Sequence, residues 1–473
     1  MGVMDTSVPF LTGADGRPHR YPLNEFYHTP QMERLAAQGI RFSQFYANSV
    51  CSPSRVSLLT GQSSARHRVT NWINPKQNNS GPHGPADWRW SGLGTGDVTL
   101  PRILQSAGYR TIHVGKGHFG PSGAAGADPK AVGFDVQIGG GPFGQPGSYY
   151  GKNNYRGPAP EFANAVPHLE AYHGSDTFLT DALTLEAMKA TEEAARGGQP
   201  FFLHFAQYAV HAPFDRDPRF AGRYRDSGRP GPAQSFATLI EGMDRSLGVM
   251  LDHLEKLGVA SNTLVIFLGD NGTDAPLGGP HEVACAAPLR GQKGSHYEGG
   301  MRAPLMVAWA KPDPSHPQQR RLPIAAGAIQ TQMASICDLF PTILGMLDLK
   351  APEGYAVDGY RLDRMLTGAA DAQHPDEFLM HYPHGPHRSS YFTILRRGDW
   401  KVIYHYRPSG DSNGARYQLF HLAQDPFEQT DLASTRPEIL RRMMERMRER
   451  LERCGAQYPA GNDGKNSAPA LPP

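Results

Sequence analysis

Residues 237–257 carry the strongest constraint on the fold. Leu239, Met243, Leu247, Met250, Leu254 and Leu257 recur every three to four residues, the spacing of a helix with one buried face. Gly258 ends that pattern, and Leu264 to Leu268 (LVIFL) comes next as an unbroken apolar run of strand length. A run that does not alternate needs cover on both faces of its sheet. The same succession recurs along the chain. Helix 31–40 precedes a strand from Arg41 to Ala47, and helix 100–108, closed by Gly108, precedes Tyr109 to Val114. Helix 177–195 precedes Phe201 to Ala206 (FFLHFA), and Pro304 to Ala310 adds a further strand. Helices alternating with buried strands predict an α/β domain, a mostly parallel sheet sandwiched by helices.

The pattern changes after about residue 370. Residues 391–406 and 417–421 read as antiparallel strands, and 437–453 as an Arg/Glu-rich helix with Pro437 near its start. The expected organisation is an α/β domain over 1–370, a small C-terminal α+β domain over 371–457 and a flexible tail over 458–473. Lys plus Arg number 47 and Asp plus Glu 45, a formal net charge of +2. No global field therefore draws the chain to nucleic acid, and any anion site has to be local. No apolar run is long enough for a transmembrane segment, and MGVMDTSVPFL lacks the basic start and apolar core of a signal peptide. The four cysteines, Cys51, Cys285, Cys337 and Cys454, have no zinc spacing and are too sparse for a disulfide framework. The last three read as ordinary thiols.

Three predicted strands end in polar residues: Gly115-Lys116-Gly117-His118, His211-Ala212-Pro213 after Phe201 to Ala206, and Gly269-Asp270-Asn271-Gly272. Ligands of open α/β sheets bind outside the carboxyl ends of the strands, so these distant segments can converge on one site. Taken singly, each reads better as a solvated loop. The sharpest local signal is Cys51-Ser52-Pro53-Ser54-Arg55, continued by Leu58-Leu59-Thr60-Gly61. Ser52 suits an N-cap, Pro53 the first helical position and Gly61 the C-terminal stop. Cys51 then sits just before a helix N-terminus, which favours an anion, and Arg55 can donate to oxyanions.

These residues resemble the signature of the type I, formylglycine-dependent sulfatases, the arylsulfatase family of the alkaline phosphatase superfamily. Gly115-Lys116-Gly117-His118-Phe119-Gly120 resembles that family's Gly-Lys-Trp-His-Leu-Gly, with Gly117 in place of the tryptophan. His211-Ala212-Pro213 matches its His-x-Pro, and LVIFLGDNG its Asp-Asn metal segment. Leu289-Arg290-Gly291-Gln292-Lys293-Gly294, Glu298-Gly299-Gly300 and Arg302-Ala303-Pro304 match its Lys-Gly and Glu-Gly-Gly-x-Arg-x-Pro stretch. Trp400-Lys401, Tyr417-Gln418-Leu419-Phe420 and Asp425-Pro426 resemble its closing strands. The resemblance covers roughly residues 25–455 and implies an alkaline-phosphatase-like fold.

It further implies that Cys51 is oxidised to formylglycine by a formylglycine-generating enzyme. One hydroxyl of the hydrated aldehyde would attack the sulfur of a sulfate monoester, the alcohol would leave, and a covalent sulfo-enzyme would remain. The second hydroxyl would then lose a proton and expel sulfate. Arg55, Lys116 and Lys293 are the implied clamp on sulfate charge. His118 is the implied base of the second step, and His211 with Lys293 the implied donor to the leaving oxygen. Asp270, Asn271 and residue 51 are the implied ligands of one divalent cation, calcium in most of the family. The implied substrate is an aryl or carbohydrate sulfate, a sulfated small molecule or glycan.

One departure stands out. The family's first core strand, ending in two adjacent aspartates, has no counterpart, and Met1-Gly2-Val3-Met4-Asp5 resembles the segment just after that pair. The expectation is that the start of the protein lies upstream of Met1, in a segment that could carry an export signal to the periplasm or outside the cell. Two alternatives remain: a phosphoester or phosphonate hydrolase of the same superfamily, and a non-catalytic sulfoglycan-binding relative. His381-Tyr382-Pro383-His384-Gly385-Pro386-His387-Arg388 reads as a connector with exposed histidines or as the lining of a sugar pocket. Glu298 and Arg302 read as a structural pair.

Overall fold

A computed structural model describes residues 1–13, 15–158, 163–277, 285–461 and 464–473. The α/β part places its strands in two main sheets. Val136–Ile138, Arg110–Gly115 and Phe201–Ala206 form an all-parallel sheet in that spatial order, with Arg110 opposite Phe201 and Gly115 opposite Ala206. Leu264–Leu268, Leu305–Trp309, Ile40–Phe42 and Ile329–Gln330 form a mixed sheet. There Leu305–Trp309 runs antiparallel to both of its neighbours, and only Ile40–Phe42 and Ile329–Gln330 run parallel. The α/β class holds, but the layer is divided rather than one mostly parallel sheet. The division leaves Phe201–Ala206 and Leu264–Leu268 each paired along one edge among the described residues. Residues 201–205 and 264–268 are accordingly only half-buried although nearly all apolar, whereas Ile112, Val114, Leu305 and Met306 next to them are fully buried.

Helices cover these sheets. Leu179–Arg196 packs on Gly231–Lys256, which starts six residues before its expected position because Pro232 is tolerated in a first helical turn. Pro30–Gln38 lies against both Gly231–Lys256 and Leu305–Trp309. The expected strand Arg41 to Ala47 is two pieces. Ser43 donates its N–H to the Gln330 carbonyl, Ala334 donates to the Gln44 carbonyl, and Phe45–Tyr46 pairs with Ala334–Ser335 in a separate small sheet. No helix among the described residues is long and apolar enough to cross a membrane.

The start of Pro30–Gln38 is capped from a distance. Its own Thr29 makes no cap; instead Asp244 accepts the N–H groups of Gln31 (3.1 Å) and Met32 (2.7 Å). This carboxylate pins one helix to another while satisfying two first-turn donors. Asp244→Ala is expected to cost about 1–2 kcal/mol, read as a lower midpoint in urea or thermal unfolding; an unchanged midpoint would refute the assignment.

The C-terminal part is a four-stranded antiparallel meander, Glu377–Tyr382, Phe392–Arg397, Trp400–His405 and Tyr417–His421. Gly398, at φ +54°, supplies the left-handed residue of the turn between the second and third strands. Pro437–Cys454 covers one face with Leu440, Met443, Met444, Met447 and Leu451. The tail expected to be loose is tied down instead: Tyr417 Oη donates to the Ala470 and Leu471 carbonyls, and Arg441 to the Pro472 carbonyl. Residues 462–463 of that tail lie outside the described residues.

Candidate active site

The Cys51–Thr60 helix organises the site. It is buried along almost its whole length and stops at Gly61, whose φ of +68° and closeness to Phe340 (2.7 Å from an added Cβ) exclude a side chain. Its start differs from the expected cap. Val50 is the N-cap position and Cys51 the first helical residue. The Ser52 hydroxyl is taken by the Ile73 N–H (3.1 Å), and Ser54 Oγ accepts the Asn48 N–H (2.9 Å). Tertiary partners thus compete for the hydroxyls that local geometry would use as caps. Cys51 is 3% exposed.

The Cys51 Sγ lies 3.4 Å from His118 Nδ1. The other ring nitrogen, Nε2, lies 2.7 Å from the Ile73 carbonyl. A carbonyl only accepts, so Nε2 carries a proton, and the ring turns Nδ1 towards residue 51. His118 has φ +60° and donates its N–H to the Gly141 carbonyl (2.9 Å). Gly144 leaves room for the ring, since an added Cβ there would stand 2.7 Å from it.

Arg55 is pinned by three groups: its Nε donates to Asp270 Oδ2 (3.0 Å), and its Nη1 to the carbonyls of Lys116 (2.7 Å) and Gly117 (3.4 Å). Lys116 Nζ stands 3.7 Å from the same Asp270 oxygen. Lys116 comes directly after the Arg110–Gly115 strand and donates its N–H to the Ala206 carbonyl, so the parallel sheet aims it. Lys293 is held by its N–H to the Thr273 carbonyl (2.8 Å), and its Nζ is 3.6 Å from Asp274 Oδ2. His211 donates Nδ1–H to the Ala212 carbonyl (3.1 Å).

The electrostatics show that these groups share one space. Burial pushes the Cys51 thiol up, but Lys116, His118 and Lys293 bring it well below its usual value. Burial also raises Asp270, and Lys116, Arg55 and Lys293 outweigh it, holding the carboxylate well below its usual range. Burial lowers Lys116, against the pull of Cys51 and Asp270. His211 is held well below its usual value by burial and then by Lys293 and Lys116. It is therefore neutral, and its Nε2 carries no proton in this state.

Asp270 and Asn271 do sit together at the end of Leu264–Leu268, but they do not fit a hard divalent cation by themselves. Asp270 is committed to Arg55 and Lys116, and Asn271 Nδ2 donates to the Gly272 carbonyl (2.8 Å). Among the described residues no group of three or more His, Cys, Asp or Glu is arranged to hold a metal. Calcium favours six to eight oxygens with several carboxylates.

The histidines of the 381–388 segment are not exposed, contrary to one expectation. His381 bonds Thr393 Oγ1 and the Gln457 carbonyl, and His384 bonds Thr70 Oγ1 and the Ser80 carbonyl. The end of the segment reaches the site: Arg388 is ion-paired with Asp274 at 2.5 Å. Asp274 was missed by sequence reasoning, its only signal being its place four residues after Asp270. Cys285, Cys337 and Cys454 are buried and form no disulfide among the described residues.

A family model described as Sulfatase matches residues 17–349. N-acetylgalactosamine-6-sulfatase of Mus musculus is 32% identical over 375 residues, covering 75% of this chain and 64% of its own length. This chain thus spans under two thirds of that relative. Arylsulfatase A of Homo sapiens is 28% identical over 453 residues, covering 87% of this chain and 80% of its own. Among solved structures, that of Ps i-CgsB has a TM-score of 0.73 at 23% identity, covering 95% of this chain and 90% of its own. Phosphonate monoester hydrolase SpPMH from Silicibacter pomeroyi has a TM-score of 0.61 at 19% identity, covering 97% of both chains. Both solved structures share the fold. A family match over most of the α/β part, on a chain whose Cys51 helix meets Lys116, His118 and Asp270 in space, places this protein in the sulfatase family.

Proposed function

We propose that this protein hydrolyses a sulfate monoester, of a carbohydrate or an aryl alcohol. One observation carries the reading: Cys51, at a buried helix start, faces Nδ1 of His118 and stands among Lys116, Lys293 and Arg55. Formylglycine made from Cys51 by a formylglycine-generating enzyme would supply the nucleophilic hydroxyl. In the proposed scheme the protein's own residues do the rest. Arg55, Lys116 and Lys293 hold sulfate oxygens as charge builds on them. His118 Nδ1 takes the proton from residue 51 in the second half of the reaction, because its Nε2–H is already given to Ile73.

His211 needs a proton before it can assist the leaving oxygen. Lys116 and Lys293 help to keep it neutral, and a bound sulfate offsets both charges. Substrate binding itself thus favours the protonated donor. Calcium belongs to the proposal only as a ligand that Asp270 and Asn271 would help to hold; no step is assigned to it.

The test is turnover of 4-nitrophenyl sulfate beside 4-nitrophenyl phosphate. The expected preference for sulfate is about 100-fold or more in kcat/KM. A preference for phosphate would favour the phosphoester or phosphonate hydrolase. That no group of three or more His, Cys, Asp or Glu among the described residues is arranged to hold a metal favours one further reading, a sulfoglycan-binding protein without turnover. That reading requires a free thiol at residue 51 and no hydrolysis with added calcium.

A further inference from the structure

The rim of the site holds a second cation that the proposed chemistry does not use. The Asp274 carboxylate takes one cation on each oxygen: Lys293 Nζ is 3.6 Å from Oδ2 and Arg388 Nη1 is 2.5 Å from Oδ1. Arg388 Nη1 also donates to the Lys293 carbonyl (3.1 Å). One carboxylate between two cations leaves the pair with net positive charge. Among the described residues Nε and Nη2 of Arg388 donate to nothing, and its side chain is 39% exposed against 13% for Lys293.

Arg388 is also firmly presented. It sits between His384 and Tyr391 in a turn closed by the Tyr391 N–H to the His384 carbonyl (2.7 Å). The His387 N–H donates to Ser390 Oγ (3.1 Å), and the His387 ring lies directly on Gly294, where any Cβ would collide with it. The C-terminal part of the chain is thereby laid across the Lys293 loop. A planar guanidinium with two donors free in a fixed orientation matches the paired oxygens of a carboxylate or sulfate.

We propose that Arg388 is a specificity-determining residue that reads a second anionic group, a sulfate or a carboxylate, lying on the substrate beside the ester held by Lys293. The proposal rests on the sulfate-ester reading above and narrows its substrate class to glycans carrying more than one negative charge. Selection comes from the C-terminal part, and the reacting groups come from the α/β part.

The test measures binding by calorimetry to the full chain carrying Cys51→Ala, which prevents turnover. Three probes are compared: an amino sugar with one sulfate ester, the same sugar with two, and a disaccharide joining the singly sulfated sugar to a uronic acid. A second anion is expected to tighten binding about 10-fold or more, and the arm that shows it identifies sulfate or carboxylate. Arg388→Ala is expected to bring that ratio close to one, and Arg388→Lys to keep part of it. A ratio near one before the Arg388 substitution, or one that Arg388→Ala leaves unchanged, would overturn the proposal. So would an equal weakening of all three probes, which would make Arg388 a positioning residue for Lys293. If no probe binds at all, the sulfate-ester reading itself falls.

Discussion

Cys51→Ala is expected to lower turnover of an aryl sulfate by about 10⁴-fold or more, to the level of binding and charge stabilisation alone. Lys116, His118 and Lys293 all act upon residue 51. Ser52 is held by the Ile73 N–H and Ser54 by Asn48, so neither is free to turn into the site. The thermal midpoint should stay within a few degrees of the parent, because only one sulfur atom leaves the helix start. A companion measurement reads the chemistry of residue 51 directly: in active protein the peptide carrying it should react with a hydrazine and not with a thiol reagent. Activity retained in Cys51→Ala would remove the basis of the proposed function.

The second large effect concerns stability. Lys401 is completely buried, with Nζ 2.6 Å from Glu428 Oε1 and 3.1 Å from Glu298 Oε1. Glu298 also accepts from Tyr46 Oη (2.6 Å) and Arg302 Nη1 (3.1 Å), Tyr46 receives Arg396, and the Glu298 N–H donates to Glu428 Oε2 (2.7 Å). Lys401 and Arg396 come from the antiparallel sheet; Glu298, Arg302 and Tyr46 come from the α/β part. Lys401→Met leaves two buried carboxylates facing each other without their shared cation. The expected cost is about 3–5 kcal/mol, read as a lower midpoint of thermal or urea unfolding. Adding Glu428→Gln to Lys401→Met should recover part of the loss, since the two sites are coupled. An unchanged midpoint in Lys401→Met would show that the network contributes little to holding the two parts together.

Much of this was legible locally. The Gly231–Lys256 helix and the Leu264–Leu268 strand can be read from apolar spacing, because a buried face repeats at the period of its element. The Cys51 segment was legible because its residues lie within one helix. Glu298 and Arg302 read as a structural pair at one turn's spacing, and they are one, 3.1 Å apart. The readings that failed depended on partners far along the chain. Ser52 looks like a cap until the Ile73 N–H claims it. Asp244 caps a helix more than two hundred residues before it, and no local pattern announces that. Arg388 was seen only within a polar stretch; its meeting with Asp274 needs the C-terminal part to fold back over the site.

The depth at which Cys51 lies also bears on when the modification required by the proposed function could take place. Its helix is sealed from solvent by Phe340, the Ile73 segment and His118, and the residue itself is 3% exposed. An enzyme that oxidises a cysteine has to surround it with its own active site, and the finished fold offers no room for that. If Cys51 is converted as the proposed function requires, the conversion would belong to the nascent or unfolded chain, before Gly61 stops the helix against Phe340. Protein made without such an enzyme would then keep its thiol, and treatment of the folded protein would leave residue 51 unchanged unless the chain were first unfolded.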